Sequence, residues 1–244
     1  MNIAVIFAGG VGKRMNSKVK PKQFLEMWGK PIIVHTLEVF EKHPEIDAIL
    51  VACVPGWINY LKTLISQYQL SKVRKIVPGG ETGQLSIYHG LKAAEQLEAG
   101  AYRDTIVLIH DGVRPLVNEK VITENIRSVK DHGSAITTVT VTETILVVNE
   151  DNEIVDVPER KNSRLARAPQ SFFLRDILHA HDRALQEGVQ NYIDSCTLMQ
   201  HYGHQMFLVD GPKENIKITS PEDFYTMRAL LDARENTQIY GVEG

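Results

Sequence analysis

Ile3-Ala4-Val5-Ile6-Phe7-Ala8-Gly9-Gly10-Val11-Gly12-Lys13-Arg14-Met15 runs from an apolar stretch straight into a three-glycine turn. An unbroken apolar run of this length, partly β-branched, reads as a strand buried on both faces, as in a parallel sheet. Glycine lets a backbone approach a bound anion closely and aim its N–H groups at it, so the turn reads as a phosphate loop at the strand's carboxyl end. Two familiar phosphate loops fail the spacing. The dinucleotide fingerprint needs Gly or Ala where Met15 stands, and a P-loop needs Gly at Phe7 and Ser or Thr at Arg14. Dehydrogenase and P-loop NTPase chemistry are thereby disfavoured. Cations follow instead: Lys13, Arg14, Lys18, Lys20, Lys22 and Lys30 stand against the single carboxylate Glu26, a net +5 in the first 31 residues of a chain that is −3 overall. A triphosphate needs backbone donors and mobile positive charge, and this one stretch carries both.

Further along, β-branched runs at 48–54, 74–77, 105–109 and 135–141 read as more buried strands. Amphipathic stretches lie between them: Leu61, Leu64, Ile65 and Tyr68 recur at helical spacing, as do Ile87, Leu91, Ala94 and Glu98. Alternating strand and helix predicts an α/β fold, a doubly wound and mostly parallel sheet with ligands at the strands' carboxyl ends. With 244 residues and 43% hydrophobic content, a single domain over 1–244 is expected. The rhythm breaks at 142–167, where Asn149, Asp151, Asn152, Glu153, Pro158, Glu159, Arg160, Lys161 and Asn162 leave few apolar anchors. A turn at 149–152 between 145–148 and 154–157 predicts a hairpin on a projecting β-arm, and an isolated hairpin is marginal unless covered. A second subunit is the natural cover. Helices over 174–186 and 194–201, a strand over 205–209 and a last helix opened by Ser220-Pro221 complete the reading.

Charge and composition exclude much else. With 27 Lys plus Arg against 30 Asp plus Glu, no global basic field argues for nucleic acid or a membrane surface. No run approaches the ~20 apolar residues of a membrane span, and the opening residues do not form a signal peptide. Cys53 and Cys196 read as reduced thiols, and a cytoplasmic protein is expected. His179 and His181, two apart on a helix, point to different faces and do not suit a metal pair.

Ala8-Gly9-Gly10-x-Gly12-x-Arg14-Met15 followed by Pro21-Lys22-Gln23-Phe24-Leu25 resembles the opening of the cytidylyltransferases that make CDP-methylerythritol or CDP-ribitol. The resemblance continues, in family order, through Gly79-Gly80-Glu81 with Ser86, His110-Asp111-Gly112-Val113-Arg114-Pro115, Ala168-Pro169-Gln170-Ser171-Phe172, Asp194-Ser195 and Asn215-Ile216-Lys217-Ile218-Thr219. It implies CTP and a small polyol phosphate as substrates, Mg²⁺ as cofactor and a homodimer through the 142–167 arm. It implies that Phe7, Ala8, Gly9, Gly10, Val11 and Gly12 wrap the nucleotide, that Gly79, Gly80, Glu81 and Ser86 read cytosine and ribose, and that Asp111 and Gly112 border the nucleotide. Arg14 and Lys22 are then the catalytic cations for the developing charge. Arg114, Thr144, Arg160 and Lys217 bind the acceptor, with Arg160 and Lys217 orienting its attacking phosphate. Asp111 is the candidate Mg²⁺ ligand; an Asp–Arg pair bracing a loop is the structural alternative, and the two roles can coexist.

The chain departs from relatives at two positions: Gly83 stands where many methylerythritol-phosphate enzymes have Arg, and Ala168 where relatives usually have Thr. Phe7-Ala8-Gly9-Gly10, Trp57, which reads as a packing residue, and Gly112-Val113 tilt the resemblance toward D-ribitol 5-phosphate, giving CDP-ribitol, a cell-surface polymer precursor. The alternative acceptor is 2-C-methyl-D-erythritol 4-phosphate, of isoprenoid precursor synthesis. A sugar-1-phosphate nucleotidyltransferase and a non-catalytic nucleotide-binding regulator are the competing classes. The anionic nucleophile needs no general base, so positioning and charge stabilisation carry the chemistry.

Overall fold

The apolar run that opens the chain forms β1 (Asn2–Ala8), an interior strand of a seven-stranded sheet. A computed structural model describes residues 1–10, 20–97 and 102–240, with side chains described through 233. In chain order the elements after β1 are β2 (Glu26–Met27), β3 (Lys30–Pro31), α1 (Ile32–Lys42), β4 (Ala48–Cys53), α2 (Ile58–Gln67), β5 (Val73–Pro78), α3 (Gly83–Leu97), β6 (Ile106–Asp111), α4 (Glu119–His132), β7 (Ser134–Thr140), β8 (Val147–Val148), β9 (Ile154–Asp156), β10 (Arg164–Phe173), α5 (Leu174–Gln186), α6 (Ser195–His201), β11 (Leu208–Asp210) and α7 (Pro221–Tyr240).

The sheet order is β11-β7-β10-β6-β1-β4-β5, with β10 alone running antiparallel to its neighbours. Both faces of the central strands are covered, which is why their sequences are continuously apolar. Ala4, Ile6 and Ala8 enter one core with α1, α2 and α4, while Ile3 and Val5 enter the other with α3 and α5. The chain lays β4 and β5 to one side of β1, then returns to lay β6 on the other side. That reversal opens a crevice between the carboxyl ends of β1 and β6, where Phe7 pairs with Asp111.

The doubly wound, mostly parallel sheet agrees with the sequence reading, and several boundaries differ, among them both strands of the hairpin, which shorten to Val147–Val148 and Ile154–Asp156. The strand expected to stop at Ile109 continues through His110 and Asp111, because pairing to Ile6 and Phe7 extends the ladder. The strand expected at 205–209 is shorter and later, Leu208–Asp210, where β7 offers partners. Residues 164–167, read as the end of the arm, begin β10: Arg164, Leu165 and Ala166 pair with Thr140, Val139 and Thr138. Helix α4 carries local signals at both ends, for Asn118 accepts a hydrogen bond from Val121 N–H at its start and left-handed Gly133 ends it. At α7 the Ser220-Pro221 signal holds, with Asp223 accepting from the Thr219 and Ser220 N–H groups.

Candidate active site

The glycine turn leaves β1 in the crevice, and its described part, Phe7 to Gly10, lines a cavity of about 210 Å³ with Lys22, Gly80, Glu81, Ser86, Asp111 and Lys217. Val11, Gly12 and Arg14 lie outside the described residues. Gln23 holds the turn, its buried amide donating to Ala8 O at 2.7 Å and Gly10 O at 3.2 Å. Phe24 beside it is fully buried and stacks on Trp57 at 5.0 Å, the packing role read for that tryptophan. This positions Lys22 on the cavity wall.

The loop after β5 meets the turn backbone to backbone. A Cβ on Gly9 would fall 2.5 Å from Ser86 Oγ, and one on Gly79 would fall 2.8 Å from Gly9 Cα, so only glycine permits the contact. Ser86 Oγ accepts from Gly80 N–H at 3.0 Å and donates to Thr82 O at 2.9 Å. Its hydroxyl therefore shapes the loop while still lining the cavity, beside Glu81 and Thr82.

Asp111, at the end of β6, carries the strongest electrostatics. Its side chain is 7% exposed; Oδ2 accepts from Arg114 Nε at 2.7 Å, and Oδ1 pairs with Lys217 Nζ at 2.6 Å. Burial alone would raise its pKa, but the Lys217 and Arg114 charges outweigh burial and hold the carboxyl at about 2. His110, fully buried behind it, is pushed down to about 4 by desolvation and bonds Arg114 O at 3.0 Å. Lys217 comes from a distant segment that three contacts pin in place. Asn215 Nδ2 donates to Ala168 O at 2.6 Å, Asn215 O accepts from Arg114 at 3.0 Å, and Ile218 N donates to Val113 O at 3.0 Å. The Asp–Arg brace read from the sequence is thus present, and Lys217 joins it.

A second, larger cavity of about 290 Å³ opens on the other side of this cluster, lined by Arg114, Arg167, Ala168, Gln170, His181, Tyr192, Asp194 and an apolar wall that includes Ile87, Ile109 and Leu198. Both cavities are bordered by Phe7, Gly83, Asp111 and Lys217. Gly83 leaves this border open, since a Cβ there would meet nothing within 4 Å. Four lining residues carry no role in the sequence reading. Gln84 ties α3 to the 189–192 loop by donating to Val189 O and accepting from Tyr192 N–H. Gln170 bridges Asp194 and Cys196 N–H. Arg167 and His181 hold buried nitrogens without hydrogen-bond partners among the described residues. His179 is exposed while His181 is buried, consistent with their pointing to different faces.

Thr144 and Arg160 are brought together, 3.4 Å apart, but both are exposed and neither lines either cavity. Around them β8 and β9 form a separate antiparallel pair exposing Leu146, Val148, Ile154, Val155 and Val157, each more than half exposed. Both cysteines are unpaired, and burial pushes Cys53 up to about 12. No group of three His, Cys, Asp or Glu side chains able to hold a metal occurs among the described residues. No described helix is long and apolar enough to cross a membrane.

The chain is 56% identical to the ribitol-5-phosphate cytidylyltransferase of Streptococcus agalactiae serotype III (strain NEM316), over 99% of this chain and all of that one. It is 36% identical to the 2-C-methyl-D-erythritol 4-phosphate cytidylyltransferase of Clostridium botulinum (strain Langeland), over 95% of this chain and 97% of that one. The 4-diphosphocytidyl-2C-methyl-D-erythritol synthase structure from Anaerococcus prevotii superposes with a TM-score of 0.82 at 27% identity, covering 95% and 96% of the two chains. The family model IspD, 2-C-methyl-D-erythritol 4-phosphate cytidylyltransferase, matches residues 2–233, and the chain belongs to that cytidylyltransferase family.

Proposed function

We propose that this chain transfers CMP from CTP to D-ribitol 5-phosphate, giving CDP-ribitol and pyrophosphate. The observation that carries the reading is the shared border of the two cavities, where Lys217 and Asp111 face both. The smaller cavity, walled by glycine backbone and Lys22, suits a triphosphate; the larger, with Arg114 and Arg167, suits a small phosphorylated polyol. The 56% identity to a protein named for ribitol 5-phosphate, against 36% for one named for methylerythritol 4-phosphate, supports that acceptor.

In this reading an acceptor phosphate oxygen attacks the α-phosphorus of CTP in line, and the bond to the β-phosphate oxygen breaks as pyrophosphate leaves. The attacking oxygen is already anionic, so the residues supply position and charge. Lys22 and Arg14 meet charge developing on the α-phosphate and leaving group. Lys217 orients the attacking phosphate at the border, and Asp111, ionised at any working pH, keeps Arg114 and Lys217 in place. Mg²⁺ fits this donor set through phosphate oxygens and the remaining lone pairs of Asp111, whose Oδ1 and Oδ2 already accept from Lys217 and Arg114, since the ion commonly takes one or two carboxylates plus phosphates rather than a protein cage. Asp111 would hold it, and when bound the ion supplies charge neutralisation across the phosphates. Arg160 and Thr144 line neither cavity of their own chain, so a homodimer in which the arm, exposed over 142–163 outside the sheet, brings them to a partner's acceptor, working in the cytoplasm, completes the reading.

Pyrophosphate release with purified enzyme tests it. Expected is a higher kcat/KM for D-ribitol 5-phosphate than for 2-C-methyl-D-erythritol 4-phosphate, a CTP preference over UTP of about 10² or more, and loss of turnover in excess chelator. Preference for the methylerythritol acceptor would reassign the substrate, and equal use of UTP would overturn the account of the base loop.

A further inference from the structure

Arg167 lies in β10 immediately before Ala168 and lines the larger cavity. Its Nε is buried and meets no hydrogen-bond acceptor among the described residues. The cavity's carboxylates are already committed. Asp111 gives Oδ2 to Arg114 and Oδ1 to Lys217. Asp194 gives Oδ1 to the first turn of α6, through Thr197 N–H and Oγ1, and Oδ2 to Gln170. The glycine-turn stretch 11–19 contains no Asp or Glu that could serve instead. Burial and the nearby Arg114 charge both disfavour the charged form of Arg167, lowering its pKa. An arginine stays charged in a protein, so such a group is relieved by an anion rather than by losing a proton.

Three cations, Arg114, Arg167 and Lys217, thus face two carboxylates in this lining. A planar donor fork with an unmet N–H, held in a cavity of net positive charge, selects an oxyanion. Position narrows the choice. Lys217 borders both cavities, whereas Arg167 lines only the larger one, so Arg167 reaches a phosphate from the side away from the nucleotide.

We propose that Arg167 is an acceptor-binding residue whose Nε–H donates to a non-attacking phosphate oxygen of the polyol phosphate. This rests on the reading that the larger cavity takes the acceptor. Arg167 then anchors the phosphate from behind while Lys217 guides its attacking oxygen toward CTP. A charge-assisted bond of this kind serves acceptor affinity, so its loss falls on the acceptor KM and leaves CTP binding untouched.

The test uses the full-length enzyme with Arg167→Leu and Arg167→Lys. Arg167→Leu is expected to raise the acceptor KM about 10- to 100-fold, the worth of a hydrogen bond to a charged group, with the CTP KM changed less than about twofold. Arg167→Lys, which keeps the charge and loses the fork, is expected to recover part of the loss. Inorganic phosphate, competing against the acceptor, is expected to weaken by a similar factor in Arg167→Leu. An unchanged acceptor KM overturns the proposal, as does a raised KM with unaltered inhibition by inorganic phosphate, which would put Arg167 on the polyol hydroxyls. If Arg167→Leu melts early, the Arg167→Lys measurements decide by the same criteria. Wild-type enzyme that makes no CDP-polyol would sink the functional reading instead, and calorimetric binding of inorganic phosphate to wild type and variant would still judge Arg167.

Discussion

Asp111 with Arg114 and Lys217 at the end of β6, and Arg160 with Thr144 beside the β8–β9 hairpin, are two polar clusters of opposite character. The first is rooted in the sheet: the Asp111 and Arg114 side chains are 7% and 10% exposed, and Asn215 and Ile218 fasten the segment that brings Lys217. The second stands on a hairpin whose own apolar side chains face outward. A charge held in a low-dielectric site interacts strongly and needs little reorganisation, whereas an exposed pair is screened and its side chains remain mobile. One chain therefore presents a preorganised buried cluster and, apart from it, an exposed arginine whose charge is screened. The exposed valines, Leu146 and Ile154 of the hairpin are the surface a cover would bury.

The sharpest way to break this contrast is at the buried cluster. Lys217→Ala is expected to lower kcat/KM by about 10³, and Lys22→Ala to lower kcat by about 10²–10³, with the fold intact by thermal melting. Near wild-type turnover in either variant would remove that residue from the machinery.

Acid acts on the buried groups around the two cavities. His110 and His181 are buried and held neutral, with pKa values lowered by desolvation to about 4 in the fold against 6.5 in the unfolded chain. Between those values the unfolded chain binds more protons, so stability is full above pH 6.5 and falls as the pH drops toward 4, by roughly 3 kcal/mol for each ring. Asp111, depressed to about 2, adds a loss of the same sign only below pH 4. Chemical denaturation at pH 7 and pH 5 would measure the first window, and His181→Phe should remove its share. An equal pH dependence in that variant would contradict the buried, neutral ring.

At the arm the expected effect depends on a partner. Arg160→Ala should lower activity about 10²-fold, yet mixed with Lys22→Ala chains it should recover about a quarter of wild-type activity once subunits exchange, because each mixed dimer holds one repaired site. A fully active monomer by light scattering, or exchange without recovery, would place Arg160 outside the site. The smallest effect belongs to the arm's own ion pair. Lys161 and Glu159 are 3.0 Å apart but 76% and 63% exposed, so Lys161→Ala should change stability by no more than about 0.5 kcal/mol. A larger loss would mean that the hairpin is more ordered than its exposure implies.

Much of this was legible in the chain before folding. Continuous apolar strands announced a sheet buried on both faces, and the glycines of the first turn, with Gly79-Gly80, announced close backbone packing because their need is local. Lys22, Asp111 and Lys217 were legible through motif strings that carry them together. What stayed hidden depends on long-range pairing. Nothing near Arg164 says that it starts a strand, since its partners Thr140, Val139 and Thr138 lie earlier in the chain and supply the hydrogen bonds. Asn215 and Gln23 stand in motif strings that do not name their partners, Ala168 O and Ala8 O, which only the fold brings near. Arg167 looked like one more cation on an arm, and His181 like a helix-face residue; their unmet nitrogens exist only because burial removes the water that would otherwise satisfy them. Sequence thus determined the sheet, the glycine turns and the kinds of charge available, which follow from local pattern. The tertiary structure alone decided which charges share a cavity, which cancel against Asp111 and which one is left without a partner, because desolvation and pairing are properties of the packed chain.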